Sequence, residues 1–177
     1  MQICNETQLP TVVADFCSPN LNFGQIKKIY LGYASNPLAD WNDLAEWNTR
    51  LDNSTEADLT KIRFLHVIAD KPAAEKSEIE FSQNRKAYTT PDHTINLSVD
   101  ETGNENYALI QFLEDNAGKT VQMWYEAGKY LYGGNSGIPV FISLNDVIPE
   151  SDEELNTFDG TATWQANHPD RIVNPMA

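Results

Sequence analysis

The chain has 177 residues, enough to bury a substantial core as one domain. Its 26 acidic against 12 basic side chains give a net charge of −14 and an isoelectric point near 4.4, which excludes ordinary phosphate-neutralising nucleic-acid binding and docking on anionic lipid. No apolar run approaches the roughly 20 residues of a membrane span.

Residues 1–25 are punctuated by Leu9-Pro10, Ser18-Pro19-Asn20 and Asn22-Phe23-Gly24 without a hydrophobic period, and read as an extended arm. Met1 to Thr7 has neither the basic start nor the apolar stretch of a secretion signal, so the chain is expected to be made and kept in a cytoplasm until any assembly leaves the cell. Cys4 and Cys17 fit neither a zinc spacing nor a Cys-x-x-Cys pair and are expected as free thiols, with a bridge only if an assembled particle becomes oxidised. Ile26 to Tyr33 is a first strand. Asp40 begins a helix to Leu51, with Trp41, Leu44, Trp47 and Leu51 recurring on one face.

Lys61 to Ala69 is the next strand, stopped by Asp70-Lys-Pro72, and its His66 is expected in the core. Ser77 to Gln83 alternates strictly, which predicts a half-buried antiparallel strand with Ile79 and Phe81 inward and Glu78 and Glu80 on the polar side. Arg85 to Tyr88 extends it, Thr89 to Asp92 turns, and Thr94 to Val99 returns with Ile95, Leu97 and Val99 inward. A second helix spans Asn104 to Asn116 with Tyr107, Ile110 and Leu113 as its stripe, widened by Phe112, and Gly118 just past its end. Thr120 to Glu126 and Lys129 to Tyr132 form an aromatic hairpin turned by Ala127-Gly128. The loop Gly133 to Gly137 then leads to strands at Ile138 to Val147 and Asn156 to Ala166, joined through the acidic run Glu150 to Glu154.

These elements predict a mainly β chain: an antiparallel β-sandwich or partial barrel of seven or eight strands with one or two short α-helices. Residues 1–25 form the arm, 26–166 a single domain and 167–177 a C-terminal tail.

The chemistry-bearing residues do not assemble into a reaction centre. His66, His93 and His168 share no metal-ligand spacing, and no Gly-x-Ser-x-Gly turn occurs. Asp100-x-Thr102-x-Asn104-x-Asn106 lacks the sixth-position glycine and the closing glutamate of a calcium loop, so it reads as a turn and cap. The acid pairs Glu78/Glu80 and Glu153/Glu154 lack the burial that a glycosidase acid needs. Trp41, Trp47, Trp124, Tyr125, Tyr130, Tyr132 and Trp164 could line a sugar-binding face, but most are expected in the core. Asn-x-Ser/Thr sequons at Asn5, Asn53 and Asn96 lack a secretory context. No catalytic, cofactor-binding or metal residue is assigned, no cofactor is expected, and the chain reads as a non-enzyme.

Ile62 to Glu80 with Ala69-Asp-Lys-Pro-Ala-Ala-Glu75, Glu105-Asn-Tyr107, Gln122-Met-Trp-Tyr125, Leu131-Tyr-Gly-Gly134 and Gly160-Thr-Ala-Thr-Trp164 carry a resemblance. Over most of residues 26–174 the chain resembles the tail tube (major tail) proteins of bacteriophages, of the kind found in phages of Bacteroidota. The resemblance implies a virion structural protein, assembled in the bacterial host cytoplasm, that joins copies of itself and other tail proteins. Six-membered rings would stack into a tube through arms and loops such as 1–25, 52–60 and 167–177. DNA would pass through the lumen without sequence-specific binding, and no membrane is involved. Glu78 and Glu80 are the candidate lumen-facing acids. The alternatives are a tail terminator or connector ring, and a carbohydrate-binding β-sandwich module.

Overall fold

The computed structural model describes residues 22, 24–54, 58–82, 85–116, 118–151 and 153–177. Most of the expected arm, including both cysteines, lies outside them. In chain order the elements are β1 (Ile26–Gly32), α1 (Leu44–Arg50), β2 (Arg63–Asp70), β3 (Glu78–Phe81), β4 (Arg85–Tyr88), β5 (Asp92–Val99), α2 (Asn104–Asp115), β6 (Val121–Ala127), β7 (Tyr130–Tyr132), β8 (Ile138–Val147), β9 (Thr157–Gln165) and β10 (Arg171–Val173).

The mainly β, antiparallel expectation holds, and the architecture is a closed barrel. Six strands follow the order β1-β2-β5-β9-β8-β6, and β6 returns to β1. Closure removes the open edges that a sandwich would leave. A bulge between Ile26 and Lys28 re-aims the start of β1. Gly160 lets β8 and β9 approach closely, since a Cβ there would lie 1.8 Å from the Ser143 carbonyl oxygen.

Alternation fills the barrel. Ile29 and Leu31, Leu65 and Val67, Ile95, Leu97 and Val99, Met123 and Tyr125, Val140 and Leu144, and Phe158, Ala162 and Trp164 all join one buried cluster, closed by Ile110 and Leu113 of α2. The interior is therefore packed side chain, and no bore runs through a single copy.

A second cluster lies outside the barrel wall, where Tyr30 and Trp124 point away from the first. There Trp47 of α1 packs between them, with ring centroids 5.4 Å from Tyr30 and 5.6 Å from Trp124. The Trp47 Nε1–H donates to Trp41 O at 2.9 Å, and the Trp124 Nε1–H donates to Gly134 O at 2.6 Å. Gly133 sits at φ +144°, and a Cβ there would fall 2.4 Å from the Trp124 ring, so the 133–137 loop can wrap the indole only with glycine.

Several local expectations are corrected. The first helix starts at Leu44 with Asp43 as its N-cap, whose side chain accepts from Ala45 N–H. Asp40 instead accepts from Asn42 N–H in a preceding turn, and Leu44 is exposed. Of the expected inward strand Ser77 to Gln83, Glu78–Phe81 form the exposed β3, paired with β4 in a sheet of its own, and Gln83 lies outside the described residues. Tyr107 and Phe112 are also substantially exposed, leaving Ile110 and Leu113 as the buried side of α2. The expected turn and cap at residues 100–106 is an irregular link at 100–103 followed by α2, whose N-cap Gly103 makes no side-chain bond. Ten strands occur among the described residues, because β4 is a strand in its own right and residues 171–173 add β10 against β7.

Candidate functional site

Two features lie at one end of the barrel, beyond the ends of β2 and β9 and the start of β5. The first is the β3–β4 ribbon. Reciprocal backbone bonds between Glu75 and Asp92, both 2.9 Å, and Thr89 N–H to Ser77 O at 2.8 Å carry the ladder away from the barrel. Register places Ile79, Phe81 and Ala87 on one face, with Arg85 opposite Phe81. Ile79 is 43% and Phe81 53% exposed, so this apolar face lies open.

Glu78 and Glu80 occupy the other face with Tyr88. Lys86 Nζ lies 2.5 Å from a Glu78 oxygen and 3.6 Å from a Glu80 oxygen, so one ammonium serves both carboxylates. The structure brings these two predicted acids together, on a ribbon outside the barrel.

The second feature is a cavity of about 570 Å³ at the barrel mouth, floored by Tyr125 and Tyr132 and rimmed by Lys71, His168 and Arg171. The two tyrosine rings stack at 4.7 Å, and Tyr125 has its hydroxyl pKa raised by burial and then by Tyr132. Burial lowers the Lys71 pKa. Among the described residues, neither Lys71 nor Arg171 has a carboxylate within ion-pair distance. The lining carboxylate, Asp70, is turned to Asn96, which donates to both its oxygens at 3.2 and 3.1 Å.

Beneath this rim lies the core histidine. It is His93, 1% exposed, and not the expected His66, which is exposed on β2. His93 stacks on Trp164 at 4.9 Å, meets the His168 ring edge-on at 5.4 Å, and its Nε2 lies 3.0 Å from Ala166 O. His93 Nδ1 and Trp164 Nε1 are buried without a partner. Burial, then the nearby Lys71, lowers the His93 pKa.

The sequence reading passed over Lys71 and Arg171, the first as a strand stop and the second as part of the tail. A signal was present: only 12 Lys and Arg occur in this chain, and one of them follows directly on a strand. Asn135 was also underread. Its backbone O accepts from Leu38 N–H at 2.8 Å and its Oδ1 from Trp41 N–H at 3.0 Å, tying the 133–137 loop to the segment before α1.

All four tryptophans are buried, so none is offered to a sugar on the surface. Among the described residues no three His, Cys, Asp or Glu side chains converge to hold a metal ion. No helix among them is long and apolar enough to cross a membrane. Comparison with protein-family models, with curated proteins and with solved structures finds no match.

Proposed function

We propose that this chain is a non-enzymatic, self-assembling structural subunit of a bacteriophage virion, the tube-forming subunit of the tail. The observation that carries the assembly reading is the open apolar face of Ile79 and Phe81 on a ribbon that the barrel does not cover. A two-stranded ribbon is marginal alone in water, and its apolar face and free edges gain most by packing on another copy. The tail assignment within that class rests on the sequence resemblance described above. Because each barrel is packed solid, the conduit of such an assembly lies between copies. The strongly acidic composition suits a wall past which DNA moves without adhering.

The test is negative-stain microscopy and sedimentation of the purified full-length chain across a wide concentration range. Rings, tubes or a concentration-dependent polymer are expected. A 19.9 kDa monomer throughout would overturn the reading. Ile79→Ser with Phe81→Ser should abolish the assembly while leaving the thermal melt unchanged, because neither side chain belongs to the core.

A further inference from the structure

The cavity at one end of the barrel and the loop at the other carry opposite chemistry. The cavity of Tyr125, Tyr132, Lys71, His168 and Arg171 sits where β2, β6 and β9 finish. At the far end, β5, β8 and β9 meet through the pairings Val99 with Phe158 and Val147 with Thr157. The connection from β8 to β9 projects there with Ile148 71% and Leu155 78% exposed, the two most exposed large apolar side chains among the described residues. Between them stand Glu150, Glu153 and Glu154, all exposed. The neighbouring start of α2 adds Asp100, Glu101 and Glu105, while Lys119 on the same side is held by the Asn116 side chain at 3.1 Å.

We infer that the cavity is a docking site for the β8–β9 connection of a second copy, so that barrels join end to end. The inference rests on the assembly reading proposed above and names its longitudinal contact. Three points favour this occupant. An aromatic floor with a cationic rim matches a segment in which two apolar side chains, Ile148 and Leu155, bracket a run of carboxylates. The cavity volume falls within the range of pockets that bury a drug-sized ligand, which leaves room for side chains of a docking loop. Donor and acceptor also lie at opposite ends of one barrel, roughly 30 Å apart along nine-residue strands. Such a contact is heterologous: each copy uses a different surface from its neighbour, so it repeats along a stack without closing on itself. An arriving carboxylate would also supply Lys71 with a counter-charge that it does not receive among the described residues, offsetting the burial that lowers its pKa.

The experiment is a charge swap in the full-length chain, followed by sedimentation velocity. Lys71→Glu with Arg171→Glu should weaken association at least tenfold, and so should Glu150→Lys with Glu153→Lys and Glu154→Lys. An equimolar mixture of the two variants should recover paired species, because reversed pocket and reversed loop complement each other. Raising the salt from about 0.05 to about 0.5 M should weaken wild-type association. Circular dichroism melts confirm that each variant folds.

Zero-length carbodiimide coupling of mixed isotope-labelled and unlabelled wild type identifies the occupant. Links between Lys71 and Glu150, Glu153 or Glu154 of different copies are the expected result. Links from Lys71 to Glu6 or Asp15 within one copy would assign the cavity to the chain's own N-terminal segment and overturn the inference. Charge-reversed variants of either set that assemble as well as wild type would overturn the docking contact alone. A wild type that never assembles would sink the assembly reading itself.

Discussion

The His93 ring is held in the barrel with its Nε2 against Ala166 O and its Nδ1 unpartnered among the described residues. Burial places its folded-state pKa below the ordinary 6.5, whereas the unfolded chain protonates it near that value. The unfolded state therefore binds the extra proton, and the stabilisation is complete above about pH 6.5 and is lost as pH falls towards the folded value. Melting temperature should fall between about pH 7.5 and 5.5, and His93→Phe should flatten that slope, since most carboxylates titrate lower. An unchanged slope in the variant would show that His93 does not couple to folding. Gly160 yields a second prediction. A methyl there meets the Ser143 carbonyl and, at 2.9 Å, Leu144 Cα, both backbone atoms that cannot swing aside. Gly160→Ala should cost about 3 kcal/mol by denaturant melting, and a loss below about 1 kcal/mol would mean that the strands separate easily. The misplaced core histidine was readable in outline. Leu65, Val67 and Ala69 are buried, so the two-residue period turns His66 outward, while the same period beginning at Ile95 turns His93 inward.

At the scale of elements, α1 has seven residues and would not persist as an isolated helix in water. Burial of Trp47 and the reach of Arg50 hold it. Arg50 donates from Nε to Thr60 O at 2.7 Å, from Nη1 to Pro37 O at 2.8 Å and from Nη2 to Asn36 O. Glu46, one turn earlier, accepts from the N–H groups of Ala39 and Asp40, both at 2.9 Å. Arg50→Ala leaves three carbonyls without this donor and should cost about 2 kcal/mol, with Arg50→Lys recovering only part because an ammonium cannot span the fork. A loss within experimental error would mean that water replaces the clamp freely. The helix itself was legible from its aromatic spacing, but its start was not. Asp40 and Asp43 are both credible caps in sequence, and tertiary contacts from Asn135 and Glu46 fix residues 38–41 outside the helix. The β3 strand shows a different limit. Alternation reports that Ile79 and Phe81 share a face, yet it cannot say whether that face meets the chain's own core or another molecule.

On the scale of the whole molecule, local hairpins such as β6–β7 were visible from turn residues, whereas closure was not. Joining Ile26 to Ala127 and Leu31 to Met123 depends on register between strands far apart in the chain. That closure has a consequence for residues 1–21. Among the described residues, the barrel and both clusters are built from Ile26 onward, and before it Asn22 bonds to Ala127 O and Lys129 N–H, each at 3.1 Å. A chain lacking residues 1–21 should keep a single cooperative melt and lose polymer formation in sedimentation, as a bridging arm requires; loss of the melt would place those residues in the core. The acids of the ribbon bear on where DNA would run. Glu78 and Glu80 share Lys86, so converting both to lysine turns a locally compensated face into three adjacent ammonium groups. Since β3 is exposed, the change should leave the melt within about 0.5 kcal/mol of wild type. If this face lines the bore of an assembled tube, tubes of the double variant should retain short duplex DNA at low ionic strength, shed it as salt screens the phosphates, and shield it from nuclease. Wild-type tubes should retain none. DNA held by the variant but open to nuclease would put the ribbon on the outer surface, and no retention at any ionic strength would remove Glu78 and Glu80 from the path of the DNA.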